Sequence, residues 1–148
     1  MLEKMKTLLR DTDICVLATS GADGPHTSLM AYVCSEEGTE IYLVTSTNTL
    51  KYRNIASDPR VSLLVDTRDK APHKQVQALT VTGQAHAIAD AVRKGAVCLQ
   101  IQRRHPHLQG LLDQPDIAFI GVRIEAFQLL SGVHEAQYVR LENAAEGA

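Results

Sequence analysis

What most constrains this chain is its punctuation: short runs of β-forming residues are separated by compact clusters of glycine, proline, aspartate and serine. Ile14-Cys15-Val16-Leu17-Ala18-Thr19 is the first run, and Gly21-Ala22-Asp23-Gly24-Pro25 ends it with residues that suit unusual backbone angles. A second strand over about 26–34 follows as its hairpin partner. Ser35-Glu36-Glu37-Gly38-Thr39-Glu40 is another turn, and Ile41-Tyr42-Leu43-Val44-Thr45 reads as a third strand. Three successive strands joined by short turns predict a meander. They leave no room for the long crossovers that parallel strands require.

The rest of the chain keeps this habit but inserts helices singly. Leu2, Met5, Leu8 and Leu9 recur at helical spacing, which predicts an N-terminal helix within residues 1–12. A helix from Leu50 to Ser57, with Tyr52, Ile55 and Ala56 inward, stops at Asp58-Pro59, because the residue before a proline is driven from helical angles. Strand resumes at Val61 to Val65, and a polar loop covers 66–74. Gln77 to Ala89 alternates as a long strand, with Gly83 marking a bend where a barrel wall curves. Asp90 can cap a helix running to about Arg103, with Val92, Ala96 and Leu99 on one face, and His105-Pro106 ends it. A final strand pair is expected over 117–130 and 135–141, with a frayed tail at 143–148. The pattern predicts one mainly β domain over 1–148, an antiparallel barrel of six to seven strands with two to three peripheral helices.

Composition narrows the function classes. The formal net charge of −2 offers no positive field to gather a polyanion, so a nucleic-acid partner is not expected. The small basic groups at Arg103-Arg104 and from Lys70 to Lys74 read as solvated faces. Cys15, Cys34 and Cys98 are odd in number, widely spaced, and set in or beside apolar runs, which predicts packing roles in a reducing compartment. The charged amphipathic start does not read as a secretory signal, and no run nears the roughly 20 apolar residues of a membrane-spanning helix. A cytoplasmic protein without a membrane partner is expected.

Familiar catalytic signatures are missing from the residues themselves. There is no G-x-S-x-G, no P-loop and no G-x-G-x-x-G. His134-Glu135-Ala136-Gln137-Tyr138 lacks the second histidine of a zinc-protease helix, and His105-Pro106-His107 lacks a third ligand, so no metal site is expected. No side chain stands out as a catalytic acid or base.

The segment from Thr45 to Lys51 is more informative. A strand end, a hydroxyl-rich loop and a helix start bring backbone N–H groups, hydroxyl donors and a positive dipole end together, and Lys51 adds a full charge. A phosphate monoester would satisfy these donors. An ordinary capped helix with a surface lysine would account for the same spacing, and on spacing alone it is the simpler reading.

Neighbouring segments shift that balance. Val16-Leu17-Ala18-Thr19, Asp23-Gly24-Pro25-His26-Thr27-Ser28, Ile41-Tyr42-Leu43-Val44-Thr45-Ser46, Lys51-Tyr52-Arg53-Asn54-Ile55 and Asp58-Pro59-Arg60-Val61-Ser62-Leu63 follow one another in order. In order, spacing and residue type this succession resembles the pyridoxamine 5′-phosphate oxidase-like, FMN-binding split-barrel superfamily. The likeness continues more loosely through Val81-Thr82-Gly83-Gln84-Ala85 and Phe127-Gln128-Leu129-Leu130-Ser131-Gly132.

The resemblance implies a split β-barrel that binds FMN. Lys51 would neutralise the phosphate; Thr45, Ser46 and Thr49 would offer donors to the phosphate and ribityl chain; Ser28, Leu29 and Met30 would lie along the isoalloxazine edge. Gln77 is a further candidate near the ring, one residue farther from Gly83 than the oxidase pattern sets it. The superfamily also implies a homodimer with two flavin sites between the subunits. Leu50 stands where the vitamin-forming oxidases carry an arginine, and Arg140-Leu141-Glu142 does not reproduce their C-terminal arginine-and-histidine pattern. The expectation is therefore an FMN-dependent oxidoreductase of this type that is not an authentic pyridoxamine 5′-phosphate oxidase. The alternatives are a haem-handling relative using His134 and a non-catalytic flavin-binding module.

Overall fold

A computed structural model describes residues 1–70, 75–132 and 135–141. Its strands are β1 (Ile14–Gly21), β2 (Gly24–Ala31), β3 (Val33–Cys34), β4 (Glu40–Ser46), β5 (Arg60–Asp66), β6 (Gln77–Ala87), β7 (Ile117–Ser131) and β8 (Glu135–Arg140). Its α-helices are α1 (Leu2–Asp11), α2 (Leu50–Ser57), α3 (Ala91–Arg104) and the single turn α4 (Gln109–Leu112), preceded by a 3-10 turn at Pro106–Leu108. The eight described strands form one antiparallel sheet curled into a split barrel, in the order β2-β1-β5-β6-β7-β4-β3 with β8 on the far half of β7.

The expected barrel is present, but the meander is not. β1 and β2 form the predicted hairpin around Ala22-Asp23, and β3 pairs β4, yet β2 and β3 lie at opposite ends of the strand order. The strand expected over 26–34 breaks at Tyr32, whose N–H bonds the carbonyl of Asp13 and whose phenol reaches the carbonyl of Leu9 at 2.5 Å. Those two bonds tie the break to α1 and the start of β1. Ala31 and Val33, two residues apart, thus end opposite edges of one sheet, so the sheet must curl until its ends approach each other. The split in the barrel falls between them.

Period-two alternation fills the interior. Cys15 and Leu17 of β1, Ile41 and Leu43 of β4, Val61, Leu63 and Val65 of β5, and Leu79 and Val81 of β6 are buried together, with Met5, Leu8 and Leu9 of α1 closing the cluster. Burial pushes the Cys15 thiol up to about 12, consistent with its use as a small hydrophobe. On β7 the buried parity changes from Ile120, Val122 and Ile124 to Phe127 and Leu129. A register shift causes this: Thr82 faces Ala126 while Gly83 faces Ile124, so Glu125 is the extra residue of a bulge. At Gly83 a Cβ would fall on the carbonyl oxygen of Arg123, which explains why glycine occupies the predicted bend.

The inward face of α2 differs in part from the one its spacing predicts, and that of α3 differs throughout. On α2 the buried residues are Asn54 and Ile55, whereas Ala56 is exposed and Tyr52 half-buried. Asn54 enters the interior because its Nδ2 donates to Thr19 Oγ1 at 3.1 Å, which satisfies both polar groups. On α3 the inward residues are Val97 and Ile101, which meet Val33, Val44 and Ile88 in a second, smaller cluster. Val92, Ala96 and Leu99 face outward, with Val92 81% exposed. Both sets recur at helical spacing, so periodicity alone does not distinguish them. The long strand also ends early, at Ala87, where Ile88 turns inward to that cluster.

Candidate functional site

The segment after β4 builds its own cap before any ligand is considered. Thr49 is the N-cap of α2: its hydroxyl accepts from the N–H of Tyr52 at 3.3 Å and donates to the carbonyl of Ser46 at 2.9 Å. Thr45, buried, places its hydroxyl 3.1 Å from that of Thr49. Ser46 Oγ accepts from the N–H of Asn48 at 3.2 Å. The loop is pinned from outside by Asp116, whose carbonyl accepts from the N–H of Thr47 at 2.8 Å and whose carboxylate accepts from Asn48 Nδ2 at 2.7 Å. At the other end of α2, Arg60 holds the Asp58 carboxyl down at about 2, and Arg60 Nη2 donates to Asp58 Oδ2 at 2.8 Å. The contacts of Asp116 thereby fix the loop that leads into the helix carrying Lys51, while the Asp58–Arg60 pair beyond its far end is a local one at the exposed surface.

Around this loop lies a cavity of about 290 Å³ at the split of the barrel. It is lined by Leu29, Met30 and Ala31 from β2, Val44, Thr45 and Ser46 from β4, Thr49 and Lys51, and finally Leu108 and Leu111. Both flanking strands present unpaired backbone edges there among the described residues: β2 pairs only β1, and β3 covers β4 only at Ile41 and Tyr42. Lys51 is the single charged residue of the lining, and no ion pair engages it among the described residues.

Six of the eight residues singled out from the sequence thus meet in one cavity: Leu29, Met30, Thr45, Ser46, Thr49 and Lys51. The other two do not line it. Ser28 turns to the inner side of β2 and shares a 3.3 Å hydrogen bond with His26 Nε2. Gln77 begins β6 with the same parity as buried Leu79, and its Nε2 donates to Ser131 Oγ at 3.2 Å. Ala31, Val44, Leu108 and Leu111 were missed. The first two adjoin residues already chosen. Leu108 and Leu111 lie beyond His105-Pro106, where the sequence signals only the end of a helix, and their apolar spacing of three is the one hint they gave.

His105 itself is structural. It is buried, and because a carbonyl only accepts, its Nε2–H donates to the carbonyl of Tyr32 at 2.8 Å. Its ring meets that of His107 edge to face. Among the described residues no three His, Cys, Asp or Glu side chains cluster as a metal site needs. His134 and the tail at 143–148 lie outside the described residues.

A larger groove of about 820 Å³ runs between α1, β3 and α3, and none of the sequence-predicted site residues lines it. Two of its arginines are taken: Arg93 by Glu40 at 2.9 Å and Arg104 by Asp13 at 2.6 Å. Burial pushes the Cys34 thiol in its wall up, against the pull of Arg10 and Arg104.

The order of these elements has counterparts. The family model described as pyridoxamine 5′-phosphate oxidase matches residues 1–131. The chain belongs to the pyridoxamine 5′-phosphate oxidase family. Within it, a pyridoxamine 5′-phosphate oxidase homolog of Schizosaccharomyces pombe is 40% identical over 70 residues, a stretch that is 42% of this chain and 37% of that protein. The match therefore spans little more than a third of that relative's length. Among solved structures, a heme binding protein from Mycobacterium smegmatis superposes with a TM-score of 0.80 at 20% identity, over 93% of this chain and 57% of that one. An FAD-binding protein from Mesorhizobium loti gives a TM-score of 0.71 at 15% identity, over 95% of each chain. These structures share the fold of this member of the oxidase family. No described helix is long and apolar enough to cross a membrane.

Proposed function

We propose that this member of the oxidase family is an FMN-binding flavoprotein that transfers electrons to or from a small molecule. The observation that carries the reading is the cavity at the barrel split, where the Lys51 cation and the Ser46 hydroxyl stand at the start of α2, on a loop that Thr45 and Thr49 shape through hydroxyls bonded to each other and to the Ser46 carbonyl. That donor set fits a phosphate monoester. The unpaired edges of β2 and β4 fit the polar rim of a planar ring, with Leu29 and Met30 against its body. FMN, when bound, would carry two electrons and a proton between donor and acceptor. The chain's part is to hold the phosphate, orient the ring and exclude water.

A second copy of the chain would complete the site. One register row crosses six strands on the outer face of the sheet: Leu29, Val16, Leu64, Thr80, Gln128 and Tyr138. Leu29 is 73% exposed on this face and Tyr138 58%, and Ile14 and Leu130 extend the exposed apolar area. A two-fold partner laid on this face would shield it and border the cavity at Leu29.

Titration of the purified protein with FMN, followed by quenching of flavin fluorescence, tests the reading. Saturable binding is expected, and Lys51→Ala should weaken it about tenfold to a hundredfold, as for loss of a charge-assisted hydrogen bond. A protein that carries no flavin and binds none when FMN is added would overturn it. Haem is the second reading, supported by the fold shared with the Mycobacterium smegmatis protein. Titration with haemin separates the two, and a Soret band unchanged in His134→Ala would remove His134 as the iron ligand. If FMN binds but neither NADH nor NADPH reduces it without oxygen, a non-catalytic flavin-binding module is favoured over a reductase.

A further inference from the structure

The two ends of the cavity differ in chemistry. Among the described residues all its polar side chains come from one segment, Thr45 to Lys51, and every other side chain of the lining is apolar: Leu29, Met30, Ala31, Val44, Leu108 and Leu111. Leu108 and Leu111 belong to the excursion after α3, and no part of the phosphate site draws on them. They pack on the second hydrophobic cluster, beside Val33, Val44, Val97 and Ile101.

This apolar wall is held in place. His105 ends α3 with its N–H on the carbonyl of Ile101 at 2.7 Å and its Nε2–H on the carbonyl of Tyr32 at 2.8 Å. Its own carbonyl accepts from the N–H of Leu108 at 3.0 Å. The excursion is therefore anchored to the break between β2 and β3, beside the strand that supplies Leu29, Met30 and Ala31. The leucines stand against the cavity because a buried histidine fixes the chain that carries them.

Resting on the flavin reading, we infer that the molecule which meets the cofactor in this cavity is an uncharged, apolar ring or chain, received by Leu108 and Leu111. It is not a phosphate ester. Once Lys51 and the Ser46 hydroxyl serve the cofactor phosphate, the lining holds no second cation among the described residues to neutralise another anion. A charged group placed against Leu108 and Leu111 would lose water and gain no partner. Leu50, exposed beside Lys51, adds no charge to the phosphate end either.

A matched pair of probes tests this: 2-naphthol and 2-naphthyl phosphate, one ring without and with the charge. Each is titrated into protein first saturated with FMN, and the flavin absorption difference is read. The uncharged probe should bind at least about tenfold more tightly than its phosphate. Leu111→Arg should weaken 2-naphthol by about tenfold or more, with FMN held at a concentration that saturates the variant. Leu108→Ala, a milder change at a half-buried position, should weaken 2-naphthol by a smaller factor under the same saturation. Tighter binding of the phosphate than of the naphthol, or equal 2-naphthol affinity in the parent and both variants, overturns the inference while leaving the flavin reading intact. Failure of FMN to bind in the first step overturns the flavin reading and this inference with it.

Discussion

Asn54 illustrates how a single side chain places the candidate site. It lies three residues beyond Lys51 on α2, and its bond to Thr19 joins that helix to β1 inside the protein. Gly21 leaves room for it, since a Cβ there would collide with the Asn54 amide. Asn54→Ala should destabilise the fold by about 1 to 3 kcal/mol, because the Thr19 hydroxyl is left buried without its donor. Urea denaturation measures the loss. In a Thr19→Val background no hydroxyl remains to be orphaned, so the same replacement should be less costly; equal costs in both backgrounds would mean that the bond contributes nothing. At this scale the sequence was a partial guide. Thr45, Thr49 and Lys51 were legible because caps and cations follow local rules, whereas nothing local marks Asn54 for the interior, because its partner is remote in sequence.

Among the elements, α3 is where tertiary packing overruled periodicity. Val92, Ala96 and Leu99 form one apolar stripe and Val97 and Ile101 another, and the sheet accepts the second because Val33, Val44 and Ile88 stand opposite it. Ile101→Ala should therefore cost about 2 to 5 kcal/mol, while Val92→Ser should change stability by no more than about 0.5. Thermal unfolding of the two variants distinguishes the faces, and the reverse ranking would mean that the helix is rotated. β7 holds a similar lesson. Its fifteen residues pair β6 along one edge and β4 then β8 along the other, and the bulge at Glu125 lets one strand serve both halves. Gly83 announced the bend, but only the opposing carbonyl of Arg123 shows why the bend must be glycine.

For the molecule as a whole, the proposed dimer rests on the outer-face row from Leu29 to Tyr138. A homodimer built on it should appear in light scattering as twice the chain mass, and Leu64→Arg or Leu130→Arg should shift it to monomer. Neither residue lines the candidate cavity. Placing arginine there desolvates a charge against an apolar partner face. A monomeric parent protein at concentrations well above those used for flavin titration would refute the dimer, and variants that remain dimeric would refute this interface.

The sequence by itself determined that the chain is an antiparallel, mainly β barrel with single helices between strands, and it located the hydroxyl-rich loop and lysine of the candidate site. These are local properties: alternation, turn chemistry and capping act over a few residues, and each leaves its mark where it acts. Tertiary structure decided how the strands are ordered, where the barrel splits and which helix faces are buried. It also brought Leu108 and Leu111, some sixty residues from Lys51 in the chain, to the same cavity. The physical reason is that such contacts depend on closure of the sheet. Tyr32 redirects the chain from one edge to the other, and only after that closure do β2, β4 and the excursion after α3 share a wall.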